Sequence, residues 1–295
     1  MRILIRIVEF LRDVFDALHQ FWESKATQRS AALILVVTFL LTLVGVELSR
    51  RGLLNPHLTH LLGESHFLAV NLAFTLVLIM EVVSLIFTLP CSVSKAVGKQ
   101  IEILGLILLR SAFKHLAKFP EPVVVSGWSE PLLYLLSDGA GALAIFAILG
   151  YYHHLQQDAR PAIMDGGSRY AFATAKKLIA LVILICFLVM GTSNLWYGIT
   201  GEPQFDFFSA FYTVLIFSDI LIVLIAQRYL PHFRAVFRNS GFAVATLIIR
   251  LALTAPPYLN AILGVAAAIF AVLLILIYNR FWEIRRPAWP DDSNP

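Results

Sequence analysis

Two acidic and two basic residues lie inside stretches of the chain that are otherwise apolar. Glu81 is followed further along by Arg110, and Asp219 is followed in the same way by Arg250. A carboxylate beside an arginine can bind a proton or a small ion, or it can tie two helices together. Charged residues within a membrane are commonly functional. These four residues are therefore the first candidates for a site.

The composition places these residues in a membrane protein. Hydrophobic residues make up 59% of the 295 residues and charged residues 14%, and the mean hydropathy is +0.78. About 20 apolar residues cross a hydrocarbon layer of roughly 30 Å as a helix. We expect an all-α integral membrane protein with about eight transmembrane helices, at residues 31–48, 67–89, 101–116, 132–155, 178–199, 210–227, 241–255 and 259–278. The third and seventh runs are short, and six crossings remain if both are re-entrant.

The depth of the first acid and base within the membrane predicts that they meet. Glu81 precedes Pro90, which ends the second run, and Arg110 follows Ile101, which begins the third, by similar lengths of helix. At 1.5 Å per residue, both side chains lie roughly 14 Å deep. Pairing is the least costly arrangement for charges at that depth.

The same calculation of depth in the membrane applies to the second acid and base. Measured from Arg228 and Ser240, Asp219 and Arg250 lie at equal depth, so they form the second predicted pair. Two interpretations stay open for both pairs. One is a polar path for an ion or a proton, and the other is a structural clasp that fixes how the helices pack.

The order of these features predicts an internal duplication. Residues 144–149 (AIFAIL) resemble 268–273 (AIFAVL), Tyr134 matches Tyr258, and the two charged series occur in the same order. We expect two tandem parallel four-helix repeats, related by an axis near the membrane normal. The predicted segments are an amphipathic helix at 1–30, a first repeat at 31–161, a linker at 162–177, a second repeat at 178–287 and a tail at 288–295.

Asp138, in the fourth run, breaks this correspondence. Ile262 occupies the matching place in the eighth run. From a position near the outer surface, Asp138 could reach water, bind Lys114, or extend a polar path outward from Arg110. The first repeat is therefore the better candidate for a path.

The distribution of Lys and Arg predicts the orientation. An amino terminus in the cytoplasm places most of them on the cytoplasmic side, as in other membrane proteins. We expect both termini in the cytoplasm, in a bacterial inner membrane. Residues 1–30 alternate apolar and charged residues at helical spacing, which is typical of a helix lying at the membrane surface, or of one that docks a partner.

Four histidines offer a weaker alternative. His57, His60, His66 and His115 all fall near the outer face, and the first two have a spacing that could hold a metal ion. Histidine without a ligand is commoner at such places, and no zinc-protease or haem-attachment motif supports a metal. We therefore expect no cofactor.

Three functions remain open from the sequence. The first is a channel or transporter that passes a small ion or a proton along the charge pairs. The second is a noncatalytic scaffold or anchor subunit of a larger membrane complex. The third, an enzyme or electron carrier that uses the outer histidines, is the least favoured. The expected partners are the lipid bilayer and either a second copy of the chain or another membrane protein. The net charge of +4 is not clustered as nucleic-acid binding requires.

Overall fold

The fold is helical throughout the part of the chain that the structure, a computed structural model, describes: residues 2–53, 65–91, 93–119, 124, 127–157, 166–229 and 233–283. No strand occurs in these residues. The helices are α1 (Arg2–Glu23), α2 (Lys25–Arg50), α3 (Phe67–Thr88), α4 (Val93–Lys114), α5 (Glu130–Gln157), α6 (Gly166–Thr200), α7 (Phe207–Tyr229), α8 (Phe233–Thr254) and α9 (Leu259–Glu283). A 3₁₀ turn (His115–Lys118) continues α4.

Seven of these helices, within the described residues, are long and apolar enough to cross a membrane: α2, α3 and α5 to α9. The chain is therefore an integral membrane protein with several membrane-spanning helices. The expected number of eight is one higher, and the difference lies in the predicted third span. That segment belongs to α4, which begins at Val93 and carries Lys95, Lys99, Glu102 and Arg110, so its composition is too charged for the same assignment.

One side of α4 packs in the interior of the bundle. It packs against α3, α5, α8 and α9, and its apolar residues Ile101, Leu104 and Leu108 are buried there. Burial among helices rather than against lipid lets polar side chains face one another or a cavity. α4 thus has a largely apolar packing face, while Lys95, Lys99 and Lys114 are exposed.

Helices α5 and α9 pack closely against each other. Both helices are apolar, and small residues let their backbones approach closely. A Cβ atom built on Gly141 would lie 2.7 Å from the Cβ atom of Ala261, which is closer than side chains tolerate. Gly141 therefore allows this approach. A second apolar cluster joins α1, α3, α6 and α7 around Phe15, Phe87 and Phe211.

α1 occupies the segment where an amphipathic helix was expected. Phe15 is buried against Phe87, while Phe10 and Phe21 are exposed. Lys177 of α6 donates a hydrogen bond to Asp16 at 2.7 Å. α1 is therefore anchored to the bundle along one side. The end of the bundle where α1 packs is called the α1 end below, and the other is called the far end.

One predicted boundary differs from the structure. The linker expected at 162–177 includes residues that belong to α6, which is already helical at Gly166. The helix starts on two glycines, at 166–167, which are tolerated in the first turn of a helix because few backbone hydrogen bonds depend on it. Residues 158–165 and the predicted tail at 288–295 lie outside the described residues.

Candidate functional site: charge pairs and cavities

The first predicted pair, Glu81 on α3 and Arg110 on α4, is in direct contact. Nη1 of Arg110 donates a hydrogen bond to Oε1 of Glu81. The side chain of Arg110 is 33% exposed and that of Glu81 is 11% exposed. The pair therefore lies at the wall of an open space and is not sealed in the core.

The second predicted pair, Asp219 on α7 and Arg250 on α8, is also brought together but in a different environment. Nε of Arg250 lies 3.6 Å from Oδ2 of Asp219, and the arginine side chain has no exposed surface. Its three guanidinium nitrogens have no hydrogen-bond partner within the described residues. This contact is an ion pair in an enclosed interior, with charge attraction but without a well-formed hydrogen bond.

Three of the cavities beside α4 follow one another along the helix. One of about 410 Å³ opens towards the α1 end, one of about 110 Å³ lies in the middle, and one of about 710 Å³ lies at the far end. We call them the α1-end, middle and far-end cavities. Polar residues from α1 and α2, including Trp22, Thr27 and Gln28, line the first, with Lys99 and Glu102 of α4.

The cavities share walls in order along the bundle. Glu81 and Arg110 line both the α1-end cavity and the middle cavity. Ser111 and Lys114 line both the middle cavity and the far-end cavity. A row of cavities thus follows α4, and the ion pair of Glu81 with Arg110 lies in the wall that the first two share.

The space beside the second pair is much smaller. A cavity of about 40 Å³ is lined by Asp219, Gln100, Lys176 and Asn239, among apolar neighbours. Nζ of Lys176 donates a hydrogen bond to the carbonyl of Cys91 at 2.6 Å, although the sequence placed this lysine in a loop. A cavity of this size holds a water molecule or two but gives no passage.

Asp138 forms a cluster at the far-end cavity that the sequence did not reveal. Its side chain is fully buried, with His115 Nε2 lying 3.0 Å from one carboxylate oxygen and Asn260 Nδ2 lying 2.9 Å from the other. Lys114, an expected partner, lines the same cavity but is not bonded to Asp138. The cluster links α5, the turn after α4, and α9. The only indication in the sequence was an acid in an apolar helix, since His115 and Asn260 are far from Asp138 along the chain.

The histidines do not assemble into a metal site in the described residues. No group of three or more His, Cys, Asp or Glu side chains is placed to hold an ion there. His66 lies 3.4 Å from Glu47 across a surface contact, and His115 belongs to the Asp138 cluster. His57 and His60 lie outside the described residues.

Comparisons with known proteins leave the function to be argued from this geometry. No protein-family model, curated protein or solved structure matches the chain. What is established is the class: a membrane protein built from several spanning helices, with two ion pairs in its interior.

Proposed function

We propose that the protein is a channel or transporter that passes a small ion or a proton through its first half. The observation that carries this proposal is the shared wall: Glu81 and Arg110 line the cavities on both sides of their own contact. An ion in either cavity therefore reaches the same pair. A structural clasp between two helices does not require a cavity on each side of the ion pair.

The pair is proposed to act as a gate that a permeating charge competes to open. An anion approaching Arg110, or a proton or cation approaching Glu81, offers one member a new partner and weakens the contact between the two. Because its side chain is one third exposed at the wall of two cavities, Arg110 has room to exchange partners. The side chain of Arg250, which has no exposed surface, lacks this freedom.

We also propose that the two halves are tandem repeats, of which one is open and the other closed. Helices at matching places pack against each other, α4 against α8 and α5 against α9. The matching residues Tyr134 and Tyr258 contact each other, with ring centroids 5.1 Å apart. Contacts between equivalent elements are expected beside a two-fold axis. On this proposal Asp219 and Arg250 are the structural counterpart of the gate.

The orientation belongs to the same proposal. If α4 also crosses the membrane, enclosed by its neighbours, the number of crossings becomes even and both termini face the cytoplasm of a bacterial cell. The excess of basic residues on that side supports this arrangement. The bilayer is then the partner of the exposed apolar side chains of α2, which include Leu33, Ile34 and Leu41.

A scaffold or anchor subunit is the alternative function. The observation that favours it is α1, whose Phe10 and Phe21 are exposed, since such side chains bind either lipid or a partner protein. A second copy of the chain would serve as that partner as well. A scaffold moves no ions, so a measurement of ion flux distinguishes the two proposed functions.

The test is ion flux into liposomes that contain the purified protein, comparing wild type with Glu81→Gln and Arg110→Gln. We expect flux in wild type and a change of at least tenfold in each variant, with folding checked by size-exclusion chromatography and circular dichroism. Wild-type flux that both folded variants retain would remove the pair from the mechanism. Absence of flux in the folded wild type for inorganic cations, inorganic anions and protons would favour the scaffold.

A further inference from the structure

We propose that the far-end cavity is a binding site for an anion of the phosphate or carboxylate type, held by Lys114 and Lys118. This inference deepens the proposed function, because the cavity adjoins the path past Glu81 and Arg110. It names the class of ligand that enters the path. Binding can nevertheless be measured without flux, so the two proposals can fail separately.

The first observation is a row of basic residues along α4 and the turn that follows it. Arg110 and Lys114 are four residues apart on α4, a spacing that places helical side chains on one face, and Lys118 follows in the 3₁₀ turn. Arg110 and Lys114 line the middle cavity, and Lys114 and Lys118 line the far-end cavity. Successive positive charges thus line the cavities from the far end of the bundle to the ion pair.

The second observation is that the carboxylates of this region already have other partners. Glu81 accepts a hydrogen bond from Arg110. Asp138 is fully buried, and its two oxygens face nitrogens of His115 and Asn260. In the described part of the chain neither Lys114 nor Lys118 has a carboxylate partner, and Nζ of Lys118 lies 4.8 Å from the ring centroid of Tyr134. The cavity wall is therefore positive, which favours an anion.

The third observation is a buried nitrogen without a partner in the same wall. His115 is 8% exposed and lines the cavity, and its Nδ1 atom has no hydrogen-bond partner in the described residues. Its other nitrogen, Nε2, faces Asp138, and this contact fixes the ring. In the neutral ring Nδ1 is then a hydrogen-bond acceptor, so the charge of a bound anion is left to Lys114 and Lys118.

The size and remaining polar groups of the cavity fit such a ligand. Its volume of about 710 Å³ is within the range of small-molecule sites. Asn71, Ser111 and Asn260 also line it and can donate hydrogen bonds to oxygen atoms. A free phosphate, a short carboxylate or the phosphate of a lipid headgroup each presents the same chemistry.

The test is a ligand-induced shift of the melting temperature of the full chain, purified in detergent. Inorganic phosphate and acetate are titrated at constant ionic strength, balanced with sodium chloride. We expect saturable stabilisation in wild type, and an apparent affinity about fivefold weaker in Lys114→Gln and in Lys118→Gln, as expected for removing one nearby charge. Saturation at equal concentrations in wild type and both variants would overturn the proposed site.

Arg51→Gln is the matched control. It also removes one positive charge, but Arg51 is bonded to Glu47 on α2 and lines none of the cavities described above. We expect it to bind phosphate and acetate like wild type. If Arg51→Gln weakens binding as much as the lysine variants do, the effect is one of overall charge and the site is refuted.

A parallel arm distinguishes the two sources of the ligand. The same shift is measured after adding phosphatidylglycerol, which is anionic, or phosphatidylcholine, whose headgroup is neutral overall. Lysine-dependent stabilisation by phosphate or acetate identifies a free anion, and lysine-dependent stabilisation by phosphatidylglycerol alone identifies a headgroup. No lysine-dependent stabilisation by any of them refutes the site. If only cations cross the liposome membrane while anion binding is intact, the far-end cavity binds anions but is not part of the ion path.

Discussion

Arg250 meets Asp219 at 3.6 Å in an interior with no exposed arginine surface, whereas the contact of Arg110 with Glu81 lies between two cavities. The same pair of charges is thus enclosed in one half of the bundle and accessible in the other. Under the proposed function, the enclosed pair stabilises the fold and the accessible pair controls ion passage, so the two pairs have different expected effects when they are changed.

The enclosed pair is expected to matter more for stability. Asp219→Asn leaves a buried guanidinium without its counter-charge, which costs about 3 kcal/mol or more. Glu81→Gln is expected to cost less, because Arg110 can contact water in the adjoining cavities. Reversible unfolding of both variants in mixed micelles measures the two free energies. Equal losses would contradict the difference in enclosure.

The close approach of α5 to α9 is expected to depend on one glycine. Gly141→Ala introduces a Cβ atom 2.7 Å from that of Ala261, and overpacking of this kind costs roughly 1–3 kcal/mol. Gly139→Ala is the matched control on the same helix, because a Cβ atom there meets nothing within 4 Å. It is expected to be neutral or slightly stabilising, as alanine is the better helix former. The melting temperatures of the two variants test this expectation. A Gly141→Ala variant as stable as wild type would contradict the close packing of α5 against α9.

The order of the cavities predicts which side chains solvent reaches. After Cys91 and Cys186 are replaced by serine, Ser111→Cys is expected to react with a membrane-impermeant thiol reagent, since Ser111 lines the middle and far-end cavities. Ala112→Cys, at the next position, is expected to be protected because Ala112 is buried in the core. Mass spectrometry of the labelled protein measures both. Equal labelling of the two variants would argue against a water-filled space along α4.

Part of this arrangement could be predicted from the sequence, because it depends on local patterns. Apolar runs identify the helices, and equal depth in the membrane predicts which charges face each other, as for Glu81 with Arg110. Enclosure could not be predicted, since the depth of Asp219 is the same while the helices around it pack differently. The cluster of Asp138 with His115 and Asn260 joins three distant segments, and no local spacing connects them. Because α4 carries several charged residues, composition also did not predict where the helix begins or whether it crosses the membrane.

The most direct test of the central claim neutralises each pair completely and then measures flux. Glu81→Gln with Arg110→Met removes the accessible pair, and Asp219→Asn with Arg250→Met removes the enclosed pair, so each double variant loses one acid and one base and keeps its net charge. Neutral replacement of both partners avoids an unpaired buried charge, so both proteins are expected to fold. In liposomes, the account predicts that the first double variant changes flux at least tenfold and that the second conducts like wild type. Equal flux in the two double variants, whether retained or lost, would contradict it.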